Sequence, residues 1–203
     1  MTRSYPPLPP GFSLVPPGKL ASAVTCLEMR DKPSPAVADD ASGLSLQRLD
    51  ASDLQAYRRL FRSVGEDWLW SSRLAITDEA LRAVVRNPKV EIYVLSDGGH
   101  QIGMLELDFR EPGECELVFL GVVKPAIGRG GGSFLMRQAL ALAWAHPIRR
   151  FWLHTCHLDH PKALAFYQRF GLRPYAFWVE VFDDPRITGE LPRTVAPHVP
   201  ILD

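Results

Sequence analysis

The segment with the strongest chemical character runs Leu120-Gly121-Val122-Val123-Lys124-Pro125-Ala126-Ile127-Gly128-Arg129-Gly130-Gly131-Gly132-Ser133, where a glycine run separates an apolar strand-like stretch from an apolar helix-like one. Glycine admits positive φ and lets backbone approach a ligand with no Cβ in the way. The unpaired N–H groups that open the following helix, together with the positive end of its dipole, form a site for a phosphate or diphosphate. The competing reading is a tight turn and nothing more. Two phosphate-binding templates fit poorly. A nucleotide P-loop needs Lys then Ser or Thr after its last glycine, and Gly132-Ser133-Phe134 has no such lysine. A dinucleotide fingerprint follows the first strand of a parallel sheet, whereas this run comes late, after what reads as an antiparallel meander.

A second pattern lies downstream, His160-x-x-Ala163-x-x-x-Tyr167-x-x-x-Gly171-Leu172. Taken with Ile127-Gly128-Arg129-Gly130-Gly131-Gly132, it resembles the GNAT superfamily of acyl-coenzyme-A-dependent N-acetyltransferases. That family carries a Gln/Arg-x-x-Gly-x-Gly/Ala loop followed by an Asn-x-x-Ala-x-x-x-Tyr-x-x-x-Gly-Phe helix and turn. The resemblance spans roughly residues 44 to 182, with departures at Ile127 (for Arg or Gln), Lys124 (for Pro, with Pro125 one residue later), His160 (for Asn) and Leu172 (for Phe). It implies acetyl-CoA as co-substrate, with no metal. The backbone of Leu120, Gly121 and Val122 would pair with the pantetheine arm where two strands splay apart. Gly128, Arg129, Gly130, Gly131, Gly132 and Ser133 would hold the diphosphate, His160 would stand where the family's Asn contacts the cofactor, and Tyr167 would be the general acid toward the departing thiolate. The alternative for Tyr167 is a core aromatic beside Leu164, Phe166 and Phe170.

Aminolysis also needs a base. Glu116 is the first candidate, because strict alternation puts it on one strand face with Glu114, Val118, Leu120 and Val122, looking into an acceptor cleft. An exposed strand carboxylate is the other reading. His154 and His157 are alternates, since imidazole titrates near neutrality. Among the aromatics, Trp68, Trp70, Tyr175, Phe177 and Trp178 are divided between core, lid and acceptor pocket, and the acidic, aromatic stretch Glu66-Asp67-Trp68-Leu69-Trp70 suits a cationic amine.

These residues need elements to hold them. Lys19 to Arg30 and Leu44 to Leu49 read as strands, joined by a polar loop from Asp31 to Ser42. A helix capped by Asp50 or Ser52 buries Leu54, Tyr57, Leu60, Phe61 and Val64 and stops at Gly65; a second starts at Thr77 and ends before Pro88. Val90 to Ser96, Gln101 to Phe109 and Glu114 to Val123 form a meander around two glycine turns. A helix then crosses over to a strand, Arg149 to Cys156, parallel to the one before it. A helix from Pro161 to Phe170 and a strand from Arg173 to Phe182 complete an α+β fold: a GNAT-like mixed, mostly antiparallel twisted sheet flanked by helices, with an extra N-terminal strand. The division expected is an N-terminal arm and strand (1–43), an acyltransferase domain (44–184) and a C-terminal tail packed on it (185–203). Six of the 18 prolines fall in the first 18 residues, an irregular arm in which Phe12, Leu14 and Val15 offer something to pack.

Composition narrows the partners. With 203 residues, 46% hydrophobic, the chain can bury a core. Lys plus Arg and Asp plus Glu both number 23, so no overall basic field exists for nucleic acid or an anionic membrane. No apolar run approaches the ~20 residues that cross a bilayer, and the N-terminus lacks a secretory apolar centre, so a cytoplasmic protein is expected. Cys26, Cys115 and Cys156 show no CxxC spacing and read as reduced and mostly buried, while His154, His157 and His160 sit across a strand end and a helix start, poor geometry for zinc. The function expected is acetyl transfer from acetyl-CoA to a primary amine of a small-molecule acceptor in a ternary complex. A non-catalytic acyl-CoA sensor and a peptide N-terminal acetyltransferase are the rivals, and a homodimer is left open.

Overall fold

In a computed structural model of the chain, residues 7–34, 43–49 and 53–203 are described. The elements in chain order are β1 (Lys19–Met29), β2 (Leu44–Arg48), α1 (Leu54–Gly65), α2 (Asp78–Val85), β3 (Val90–Asp97), β4 (His100–Asp108), β5 (Glu114–Val122), α3 (Gly131–Ala143), β6 (Arg150–Cys156), α4 (Ala163–Arg169), β7 (Arg173–Asp183) and the short α5 (Pro185–Thr188). One sheet takes all seven strands in the order β2-β3-β4-β5-β6-β1-β7. Every neighbouring pair is antiparallel except β5 and β6, which the α3 crossover makes parallel. The extra N-terminal strand is thus not an appendage: β1 lies inside the sheet, between β6 and β7.

Alternation along the strands sends side chains to two cores. On one face α1 and α2 bury Tyr57, Phe61, Leu81 and Val85 against Ile92, Val94 and Met104; on the other, α3 buries Leu135, Met136 and Ala139 against Leu105, Leu107, Phe151 and Leu153. Residues 185–203 fold back so that Leu191 and Ala196 cover Leu20, Leu69 and Leu158. Buried Arg186 fixes this return by donating to both carboxylate oxygens of Asp184 and to the carbonyls of Ala196 and Val199.

Three local readings change. Asp53 caps α1, accepting from the Ala56 N–H, whereas Asp50 and Ser52 lie outside the described residues. α1 ends at Gly65 as the sequence suggests, and the chain runs on through a 3-10 turn, Glu66–Trp68, to Leu69 in the left-handed region at φ 59°. Gly65 also serves close packing, since a Cβ there would lie 2.5 Å from the Trp70 ring. The last long helix begins at Ala163 rather than Pro161, because the His160 Nδ1 accepts from the Lys162 N–H and holds the chain in a turn. In the N-terminal arm, Phe12 and Leu14 are fully exposed rather than docked.

Candidate active site

The sheet opens where chemistry was expected. β5 and β6 pair only through Glu114 with Arg150, Cys115 with Phe151 and Glu116 with Trp152. Past that point β5 keeps β4 on one edge, Leu120, Gly121 and Val122 lying opposite Leu105, Met104 and Gly103, and among the described residues its other edge has no strand beside it. A bulge helps it turn away. Glu106 pairs with Phe119 and Leu107 with Leu117, which leaves Val118 extra, and such an insertion bends and twists a strand.

The bulge also corrects the face assigned to Glu116. Cys115 and Leu117 reach the α3 core before it, but Leu120 and Val122 do so after it. Glu116 therefore shares its face with Phe119, which packs under α1, and not with Leu120 and Val122. There it borders a cavity of about 350 Å³ lined by Asp108, Arg110, Glu111, Glu114 and Trp152, at the last rung before the strands part. Burial, and then the neighbouring Asp108 carboxylate, push the Glu116 pKa up to about 7. The His154 ring nitrogen lies 3.7 Å away. His157 is engaged elsewhere, accepting from the Ala23 N–H at 3.1 Å.

At the other end of the gap the chain turns into α3 through Gly128 (φ 82°) and Gly130 (φ 89°), both in the left-handed region that glycine alone enters freely. No side chain caps α3 and no acidic residue lies in its first turn. Among the described residues no protein acceptor takes the N–H groups of Gly128, Gly130, Gly131, Gly132 or Ser133. Arg129 is the exception: its N–H is spent on the Ala126 carbonyl, so only its exposed side chain is available. A Cβ on Gly131 would press on Val122 and Leu95 at 3.2 and 3.3 Å, which fixes this turn against the end of β5. A diphosphate fits the donors this loop offers.

Tyr167 enters from α4, its ring edge-on to Phe166 with centroids 5.4 Å apart, and it packs against the α3-side core. Its hydroxyl has no hydrogen-bond partner among the described residues, and burial, aided by the Asp159 charge, holds the phenol well above its usual pKa. His160 stands edge-on to Trp68 at 5.4 Å. Trp70 wedges between Phe61 and Phe119. Tyr175, Phe177 and Trp178 lie on β7, which β1 separates from the gap, so they do not line it.

The Acetyltransferase (GNAT) family model matches residues 54–172, more than half of the chain. The chain belongs to this family. Solved structures share the fold at low identity. A functionally unknown conserved protein from Staphylococcus epidermidis superposes with a TM-score of 0.60 at 12% identity over 82% of this chain and 63% of that one. A GCN5-related N-acetyltransferase from Sphaerobacter thermophilus gives 0.58 at 13%, over 80% and 52%. An aminoglycoside acetyltransferase from an uncultured soil metagenomic sample, solved with trehalose, gives 0.53 at 18%, over 66% and 90%. The chain thus spans less than two thirds of the first two proteins. No curated protein is a significant match. The GNAT family typically uses acetyl-CoA, and none of the chain's described helices is long and apolar enough to cross a membrane.

Two groups around the GNAT gap escaped the sequence. Asp159 accepts from Trp70 Nε1 at 3.1 Å and from Thr155 Oγ1 and the Cys156 N–H at 2.7 and 2.9 Å, tying the loop after α1 to the free end of β6. Beside Glu116, fully buried Glu106 accepts from the Tyr57 hydroxyl and from Arg73, both at 2.7 Å. The only local signal is an acid inside the apolar run Met104-Leu105-Glu106-Leu107.

Proposed function

We propose that this GNAT protein transfers an acetyl group from acetyl-CoA to a primary amine of a small, cationic acceptor by direct attack in a ternary complex. The observation that carries the proposal is the unpaired edge of Leu120, Gly121 and Val122 ending at a loop whose N–H groups have no protein acceptor among the described residues. That edge would take the pantetheine amides as an added strand, and Gly128, Gly130, Gly131, Gly132 and Ser133 the diphosphate, with the Arg129 side chain and His160 alongside. Acetyl-CoA supplies an acyl carbon activated as a thioester. Glu116 accepts the proton that the amine loses as its nitrogen bonds to that carbon. The Tyr167 hydroxyl gives a proton to the sulfur as the carbon–sulfur bond breaks. A phenol held protonated and a carboxylate titrating near 7 suit those roles. Asp108, Glu111 and Glu114 around the cavity favour a cationic acceptor, and Trp152, whose buried Nε1 has no partner among the described residues, adds a donor.

Acetyl-CoA at a hundred times its Kd is expected to stabilise the protein by about 2.7 kcal/mol, read as a rise in Tm. A flat melting curve at millimolar acetyl-CoA overturns the proposal. Thiol release across a panel of polyamines, aminoglycosides and peptide N-termini then identifies the acceptor class; tight cofactor binding with no release from any amine would mark a sensor instead.

Tyr167→Phe is expected to lower kcat by roughly ten- to a hundredfold while leaving the acetyl-CoA thermal shift unchanged, because only the proton donor is lost. Unchanged turnover would remove Tyr167 from the acid role.

A further inference from the structure

The Trp70 indole crosses the gap between the parted strands. At one end it lies on β5, its ring centroid 5.0 Å from that of Phe119 and its Cη2 3.3 Å from where a Cβ on Gly121 would stand. At the other end its Nε1 donates to Asp159, in the loop that leaves β6, at 3.1 Å. Phe119 and Gly121 both face α1, so the ring forms a roof on that side, level with the stretch of β5 that has no strand on its outer edge among the described residues. The roof is rigid. The Trp70 N–H donates to the Gly65 carbonyl at 3.0 Å, and the ring fills the notch that Gly65 leaves. The residue before it, Leu69, is buried beneath Leu158 and Leu191. Held at its backbone, its face and its Nε1, the side chain has no other packed position to yield to.

What this roof covers follows from the transferase reading, on which the inference rests. Glu116 stands on the α1 side of the sheet and Tyr167 on the α3 side, so a thioester between them turns its sulfur toward Tyr167 and its acyl carbon toward α1. Any longer chain must extend on that side. Toward the foot of the gap it meets the last rung, Glu116 with Trp152, and then a cavity lined by Asp108, Arg110 and Glu111. An alkyl chain there would strip water from ionised groups. The apolar direction runs toward Phe119, and Trp70 already fills it. The Asp159 charge also raises the Tyr167 pKa, so the pinned end of the indole is within electrostatic reach of the sulfur's proton donor.

We propose that Trp70 determines the acyl length this protein accepts, its indole admitting an acetyl group and excluding longer alkyl chains. Titration calorimetry of the full chain with acetyl-CoA and with hexanoyl-CoA tests this without any acceptor. Wild type is expected to bind acetyl-CoA about a hundredfold more tightly, because the longer chain must overpack a fixed ring or enter the charged cavity. Trp70→Ala vacates a volume comparable with the extra methylenes of hexanoyl, and is expected to shrink that ratio by about tenfold or more. Trp70→Phe, which keeps a ring on Phe119 but loses the bond to Asp159, is expected to fall between the two. The ratio separates specificity from damage: a disturbed fold lowers the fraction of chains that bind, which enters the stoichiometry, and weakens both thioesters alike. Should Trp70→Ala not fold, Trp70→Leu carries the same test. Equal affinities in wild type, or a ratio that the variant leaves unmoved, would overturn the proposal while acetyl-CoA still binds. The transferase reading fails differently, by acetyl-CoA not binding at all, and that result overturns both.

Discussion

Glu116→Gln is expected to lower kcat by about a hundred- to a thousandfold, the range typical of removing a general base, and at the same time to make the protein more stable above pH 7. Both effects follow from the same environment. The carboxyl sits beside Asp108 at the foot of the gap, and its pKa rises from an ordinary 4.5 to about 7. As a base it must be ionised, so kcat/KM of the native enzyme should climb with pH through about 7. The glutamine variant should lose that limb. The stability effect has the opposite sign. Below about pH 4.5 the group is protonated in folded and unfolded chains alike and contributes no pH-dependent cost. Between 4.5 and 7 the folded state keeps a proton that the unfolded state has released, and above 7 the folded chain carries a poorly solvated anion. A shift of this size corresponds to about 3 kcal/mol at most. With about a quarter of the side chain still in contact with solvent, a gain near 1–2 kcal/mol at pH 8 is expected for the variant, or several degrees in Tm. Denaturant midpoints at pH 4.5 and pH 8 check it. If the variant turned over normally, the base would have to be sought elsewhere, first at His154.

The elements of the fold are legible because their signals are local. The spacing of Leu54, Tyr57, Phe61 and Val64 marks one face of a helix, and Thr77 three residues before Ala80 marks a cap. The glycine run is equally local, although the Arg129 N–H within it goes to the Ala126 carbonyl, which the spacing does not reveal. What fails to show is whatever depends on distant partners. The sheet places β1 beside strands more than a hundred residues later, against the tendency of successive strands to be neighbours. The bulge at Val118 lies in an unbroken apolar run, Leu117-Val118-Phe119-Leu120, where alternation has no polar residue to reveal a change of face. Trp70 and Asp159 stand 89 residues apart, and Arg73 and Glu106 stand 33 apart. No spacing rule joins such pairs, so the polar support beneath the site becomes visible only once the chain is folded.

That support carries the largest stability effect. Glu106→Ala is expected to destabilise the protein by about 3–5 kcal/mol, because it strands two groups at once. The Arg73 guanidinium is 15% exposed and stacks 5.2 Å from the Phe119 ring, so without Glu106 its charge has little water to turn to. The Tyr57 hydroxyl, almost fully buried, loses its acceptor. Arg73 Nε already has no partner among the described residues, so the guanidinium starts with an unsatisfied donor. Replacing both charges, as in Glu106→Leu with Arg73→Met, should recover most of the loss, since a buried ion pair and an apolar pair of similar volume differ little in net stability. The coupling to the site gives a separate readout. Glu106 raises the Glu116 pKa and Arg73 lowers it. Removing Glu106 alone should therefore move the acid limb of the pH–rate profile to lower pH, and removing Arg73 alone should move it higher. A merely structural network would lower Tm in both variants without moving that limb in opposite directions.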